Sequence, residues 1–188
     1  MKNQALIQWI EPLEEVVEAH LLKATSVYQN LSEEALSAKP DHDGWSAAQC
    51  IYHLNTYSDF YLPRAQKALS RVTPRHDNRE FRSGFLGKLL KNTIKPENKL
   101  KLKALKAHRP AADVIGATTV AQFIEHQEQW LRLISEVESV NQLDARVESS
   151  ISFLIRFKLG DVFAFMKAHD ARHLQQADRV LATLPEKV

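Results

Sequence analysis

With 188 residues, 44% of them hydrophobic and 26% charged, the chain fits one domain, residues 1–188, large enough to bury a core without covalent staples. Five glycines and seven prolines are too few for a many-stranded β protein, and a single cysteine, Cys50, excludes an internal disulfide framework or a four-cysteine metal site. The net charge of +2 conceals one basic segment: Arg64 to Arg109 holds fourteen Lys and Arg against three Asp and Glu, and the rest of the chain holds eleven against twenty.

The N-terminus, "MKNQALIQWIEPLEE", shows no basic region followed by an apolar run. No stretch approaches the ~20 apolar residues that a bilayer requires. A cytoplasmic protein without a membrane span is the expectation. From residue 4 to about 31, Leu6, Trp9, Ile10, Leu13, Val16, Val17, Leu21, Ala24, Val27, Tyr28 and Leu31 recur at steps of three and four. That rhythm predicts one amphipathic helix, kinked or started late at Pro12. "SAKPDHDG" reads as a loop.

A second helix begins at Ser46, with Gln49 completing a capping box. Its apolar row is Ile51, Leu54, Tyr61, Leu62, Ala65 and Leu69, and Pro63 predicts a kink or an early end. Residues 70–117 form an irregular crossover. Within it "FRSGFLGKLLKNTI" has the pattern of a short amphipathic helix, a candidate dimer or membrane-surface element, broken by Gly84 and Gly87.

A third helix is predicted over 119–140, with Thr119 and Gln122 at capping-box spacing. Next, Val147, Ile151, Phe153, Ile155, Phe157 and Leu159 alternate at a strand period. Having nothing to pair with, they read as an extended connection along the helices. Gly160 is placed to turn the chain and Asp161 to cap a last helix over 162–184. Four long helices with one long crossover predict an all-α, four-helix bundle.

The last helix breaks its own pattern. Val162, Phe165, Met166, Ala177, Val180 and Leu181 are apolar, but the same rhythm lands on His169, His173 and Gln176 at its centre. Buried imidazoles require partners. Histidines at i and i+4 can bind one metal ion, and equally can form a hydrogen-bonded core pair. His53, beside the buried row of the second helix, is the best candidate for a third ligand. Three imidazoles would leave a coordination position open, as in catalytic sites, and nitrogen donors suit zinc, nickel, copper or iron(II).

His20 also falls on an apolar stripe and reads as a core histidine. Cys50 reads as a small buried hydrophobe, and Trp45 and Trp130 as packing anchors. His42, His76, His108 and His126 lie in loops or polar surroundings and carry no assignment. Asp170, Ala171 and Arg172 point away from the histidine face.

"WSAAQCIYHLNTYSDFYL", with Trp45 eight residues before His53-Leu54, resembles the second helix of the DinB/YfiT-like superfamily. "KLGDVFAFMKAHDARHLQQADRV" is similar to its closing helix, H-x-x-x-H-x-x-Q. The resemblance implies an up-down-down-up bundle, often dimeric, with a metal bound by His53, His169 and His173, and with Gln176 in hydrogen-bonding support. Some members of that family are S-transferases that use low-molecular-weight thiols such as bacillithiol, mycothiol or glutathione, and others act in maleylpyruvate isomerisation. The basic crossover departs from the family pattern.

The expectation is a metal-dependent enzyme acting on a small molecule, with a divalent transition metal and a low-molecular-weight thiol as cofactors, assembled as a homodimer. The alternative is a non-catalytic protein that holds a polyanion through residues 64–109. That segment has few aromatics to stack bases and no nucleic-acid motif, so nucleic acid is not expected.

Overall fold

The computed structural model describes residues 4–40, 44–77, 80–85, 87–88 and 104–184. Half of "FRSGFLGKLLKNTI" and the most basic part of the crossover therefore lie outside the described residues. Four long helices carry the fold: α1 (Gln4–Ser26), α3 (Ala47–Leu69), α4 (Gly116–Val140) and α5 (Leu159–Leu181), with a five-residue helix α2 (Glu33–Ser37) between the first two. Helix α1 packs against α4 and α5, and so does α3. No described helix is long and apolar enough to cross a membrane.

The periodicity of the sequence becomes the packing. On α1, Leu6, Ile10, Leu13, Val17, His20 and Ala24 are the buried positions, a stripe one turn per step. On α4 the buried set includes Val120, Phe123, Trp130, Ile134 and Val137. Trp130 Nε1 donates to Ser58 Oγ at 3.0 Å, so this large side chain is buried without stranding its N–H. Each such buried large side chain contributes about 1.5–3 kcal/mol relative to exposure.

The helix boundaries correct several expectations. Ser46 and Gln49 do form the predicted capping box. Pro63 neither ends nor shortens α3, which continues to Leu69, and Pro12 lies inside α1. The predicted cap at Thr119 is not used, because α4 starts earlier, at Gly116, after Ile115. Its free N–H groups are instead met from α2, where the Glu33 carboxylate accepts from Gly116 N at 2.7 Å and Ala117 N at 3.1 Å. The far end of α4 stops at Asn141, which takes the left-handed conformation with φ 52°, a conformation Asn tolerates better than most residues.

The alternating segment is not a lone extended connection. It folds back on itself as an antiparallel hairpin of β1 (Arg146–Glu148) and β2 (Arg156–Lys158), with Val147 opposite Phe157 and both buried. The loop closes through Ser149 N to Ile155 O and Ile155 N to Ser152 O. A two-residue period runs unchanged through such a turn, so one apparent strand is two. Ile151, Phe153 and Leu154 at the tip are exposed.

Helix α5 begins at Leu159 and ends at Leu181, and no side chain caps it. Asp161, expected as that cap, lies in the first turn. Its carboxylate accepts from Ser83 Oγ and from Gly84 N (3.0 Å), so it fastens the start of the crossover to α5. Gly160 does not have positive φ. Its role is proximity, since a Cβ there would meet the Phe81 ring at 2.5 Å.

Candidate metal centre

Helices α3 and α5 lie side by side, and each brings polar groups to the shared seam. His53 is 2% exposed and His169 5%, while His173 is half-buried. One ligand atom from each of the three lies within 4.8 Å of the others. The ring centroids are 5.0 Å apart for His53 and His169, 4.6 Å for His53 and His173, and 4.7 Å for His169 and His173.

The hydrogen bonds orient the rings. His53 Nδ1 lies 2.5 Å from the carbonyl oxygen of His108. A carbonyl only accepts, so Nδ1 carries the proton and the Nε2 lone pair is free. His173 Nδ1 lies 3.0 Å from Gln176 Oε1, an oxygen that only accepts, so the same tautomer is set there. His53 Nε2 then stands 3.2 Å from His169 Nε2. Two nitrogens at 2.0–2.1 Å from one tetrahedral ion are roughly 3.3 Å apart, so the observed spacing fits a shared cation. His169 Nδ1 is buried without a hydrogen-bond partner.

Burial is the largest influence on all three basicities. It pulls His53 down to about 4, against an opposing contribution from the His108 carbonyl. It pulls His173 down to about 3, with the proximity of His53 acting in the same direction. His169 is lowered well below the ordinary value, again by burial first and then by His173 and His53. Neutral imidazoles are the form that binds metals.

Aromatic rings wall the cluster. Phe165 stacks on His169 at 5.0 Å, and Tyr57 lies 4.5 Å from it. Trp45 stacks on His173 at 5.9 Å and lies 4.9 Å from His53. The Tyr57 phenol is pushed up to about 12, chiefly by burial, and stays neutral at ordinary pH.

The chain matches the DinB superfamily over residues 18–177. It belongs to the DinB superfamily. A comparison with curated proteins and with solved structures gives no match.

In this DinB-superfamily chain the histidines split into a cluster and outliers. His53, His169 and His173 converge, and Gln176 reaches the last of them. His108 and His126, read as lying in polar surroundings, are both buried. His108 comes from the end of the crossover and stacks on Tyr57 at 3.8 Å. Its Nδ1 lies 3.1 Å from Thr56 Oγ1. His126, on α4, is apart from the cluster: Nδ1 is 3.2 Å from Asn55 Oδ1 and Nε2 is 3.0 Å from Asp59.

Asp170 does point away from the histidine face, but into the core, where it accepts from Gln127 Nε2 at 3.1 Å. Burial raises its carboxyl to about 7. Cys50 is buried, and its thiol is pushed up to about 12, chiefly by that burial. It has the character of a small core residue, not of a nucleophile. Trp45, read from the sequence as a packing anchor, is a wall of the site. The His108 contribution had no sequence signal at all, since every residue carries a carbonyl.

Proposed function

We propose that this DinB-superfamily protein is a metal-dependent enzyme whose divalent transition metal, zinc, nickel, copper or iron(II), is held by His53, His169 and His173. The observation that carries the reading is the convergence of the Nε2 atoms of His53 and His169 at 3.2 Å, with His53 Nδ1 turned outward onto the His108 carbonyl. Gln176 supports His173 in the same way, the kind of hydrogen bond that orients a ligating imidazole and raises its basicity. With three protein ligands, such a centre keeps a position for substrate.

A divalent ion there supplies Lewis acidity and favours the deprotonated form of a water or thiol that reaches it. The chain's own residues then orient and exclude. Tyr57, Phe165 and Trp45 restrict solvent around the imidazoles, and the His108 carbonyl holds His53 in one tautomer. Transfer of a low-molecular-weight thiol onto an electrophilic small molecule fits this arrangement and the family. We place the four long helices in an up-down-down-up bundle forming one domain over 1–188, acting in the cytoplasm as a homodimer.

Elemental analysis of protein purified without chelator tests the reading. Wild type is expected to carry about one equivalent of transition metal and the His169→Ala variant none. A wild type free of metal after incubation with zinc, nickel, copper and iron(II) salts refutes it.

A further inference from the structure

His108 meets α3 twice, once through its backbone and once through its ring. His53 Nδ1 donates to the His108 carbonyl at 2.5 Å. His108 Nδ1 lies 3.1 Å from Thr56 Oγ1, and Thr56 Oγ1 donates to the His53 carbonyl at 2.7 Å. A hydroxyl has one proton to give, and a carbonyl only accepts. With the Thr56 proton committed to His53, Oγ1 accepts from His108 Nδ1–H. The three hydrogen bonds close a ring that runs from the His53 imidazole to the His108 carbonyl, through the His108 imidazole to the Thr56 hydroxyl, and back to the His53 carbonyl.

Packing supports the same arrangement. The His108 side chain is buried and lies against the Tyr57 ring at 3.8 Å, with 22° between the planes. One turn before His53 on α3, Gln49 Nε2 donates to Ala111 O at 2.9 Å. Two α3 side chains thus hold the crossover backbone at residues 108 and 111. A threonine hydroxyl that bonds back to the carbonyl three residues earlier is common in helices. Here the same hydroxyl also receives a ring from a segment 52 residues away. The consequence falls on His53. An imidazole that ligates through Nε2 keeps Nδ1–H on an acceptor, and that acceptor fixes the plane of the ring. His53 is 2% exposed, so losing the carbonyl would strand a buried N–H as well as release the ring.

We propose that His108 and Thr56 are positioning residues of the metal centre, which clasp the returning end of the crossover onto α3 so that the His108 carbonyl holds His53 in its ligating orientation. The proposal deepens the metal-centre reading and rests on it. Neither residue belongs to the three-histidine group, so each acts through His53. Coupling of this kind is reciprocal: the factor by which the closed clasp strengthens metal binding is the factor by which bound metal favours the closed clasp.

Zinc affinity, measured by competition with a chromophoric chelator, is compared in wild type, Thr56→Val, Thr56→Ser and His108→Phe. Thr56→Val keeps the side-chain shape and removes the hydroxyl. His108→Phe keeps a ring against Tyr57 and removes the Nδ1–H. Each of these two is expected to weaken zinc by about tenfold or more, and Thr56→Ser, which keeps the hydroxyl, to stay within about twofold of wild type. Amide exchange over residues 105–109 supplies a second readout. Zinc should slow it in wild type and leave it unchanged in Thr56→Val. Zinc affinity unmoved in Thr56→Val or in His108→Phe overturns the clasp and leaves the metal centre standing. So does a Thr56→Ser variant as weak as Thr56→Val, or exchange over 105–109 in wild type that is indifferent to bound zinc. A wild type that binds no metal removes the metal centre, and the role of the clasp with it.

Discussion

His20 illustrates what burial does to a single titratable side chain. It occupies a core position of α1 and is 8% exposed, and its Nδ1 has no hydrogen-bond partner. Burial first, then the charges of Lys23 and Lys167, lower its pKa from 6.5 to about 4. Above pH 6.5 the imidazole is neutral in folded and unfolded chains alike, and contributes nothing to the pH dependence. As pH falls from 6.5 towards 4 the unfolded chain takes up a proton that the folded chain refuses, so stability is lost. The shift corresponds to about 3 kcal/mol across that window. We expect His20→Leu to flatten the acid limb of a urea-unfolding series between pH 6.5 and 4 relative to wild type. An unchanged limb would show that His20 is not neutral in the folded state. Both His20 and His169 lie on apolar stripes, and in the sequence they differ only in that His169 has a second histidine, His173, four residues on. In the fold, His169 meets His173 on its own helix and His53 across the seam with α3, whereas His20 joins no such group among the described residues.

At the scale of elements, the helices were legible, and of their ends only the start of α3 at its capping box was. The buried rows of α1, α3, α4 and α5 follow the three-four rhythm of the sequence, because the pattern that closes a helix face is local. Where a helix begins depends on what satisfies its first N–H groups. For α3 that partner is three residues away, in Ser46 and Gln49. For α4 it is Glu33, 83 residues earlier in the chain. A distant carboxylate at a helix N-terminus combines hydrogen bonding with a favourable dipole interaction. Glu33→Ala is expected to lower stability by about 1 kcal/mol, read by chemical denaturation, with Glu33→Asp, which keeps the charge on a shorter stem, losing less. Equal stability of Glu33→Ala and wild type would show that water serves α4 equally well. The hairpin gives the same lesson for strands. The alternation was visible, but the position of the turn was set by closure of Ser149 onto Ile155.

Across the whole molecule, the candidate centre joins elements that are remote in sequence. His53 is on α3 and His169 and His173 are on α5, and the carbonyl that orients His53 comes from the end of the crossover at His108. A metal bound there by the folded chain and not by the unfolded one must stabilise the fold, by about 2.7 kcal/mol at a free concentration one hundred times Kd. We expect zinc to raise the thermal midpoint of chelator-treated wild type and to leave His53→Ala where it was. A similar rise in both would place the metal elsewhere. Docking of the crossover should respond as well, since Gln49 and His53 hold its returning end through Ala111 and His108.

By itself the sequence determined the helical class, the stripes that form the core, the capping box at Ser46, and which histidines face inward on α5. These depend on residues a few positions apart, and local spacing reports them directly. Only the tertiary structure decided that His53 and His169 meet nitrogen to nitrogen, that a crossover carbonyl chooses the His53 tautomer, and that the Trp45 ring packs against His53 and His173. Those relations hold between side chains, or between a side chain and a backbone group, from distant segments. Backbone groups carry no residue identity, and the separation of two helices is fixed by everything packed between and around them. The pattern singled out the candidate ligands one helix at a time, and packing set the distance between them.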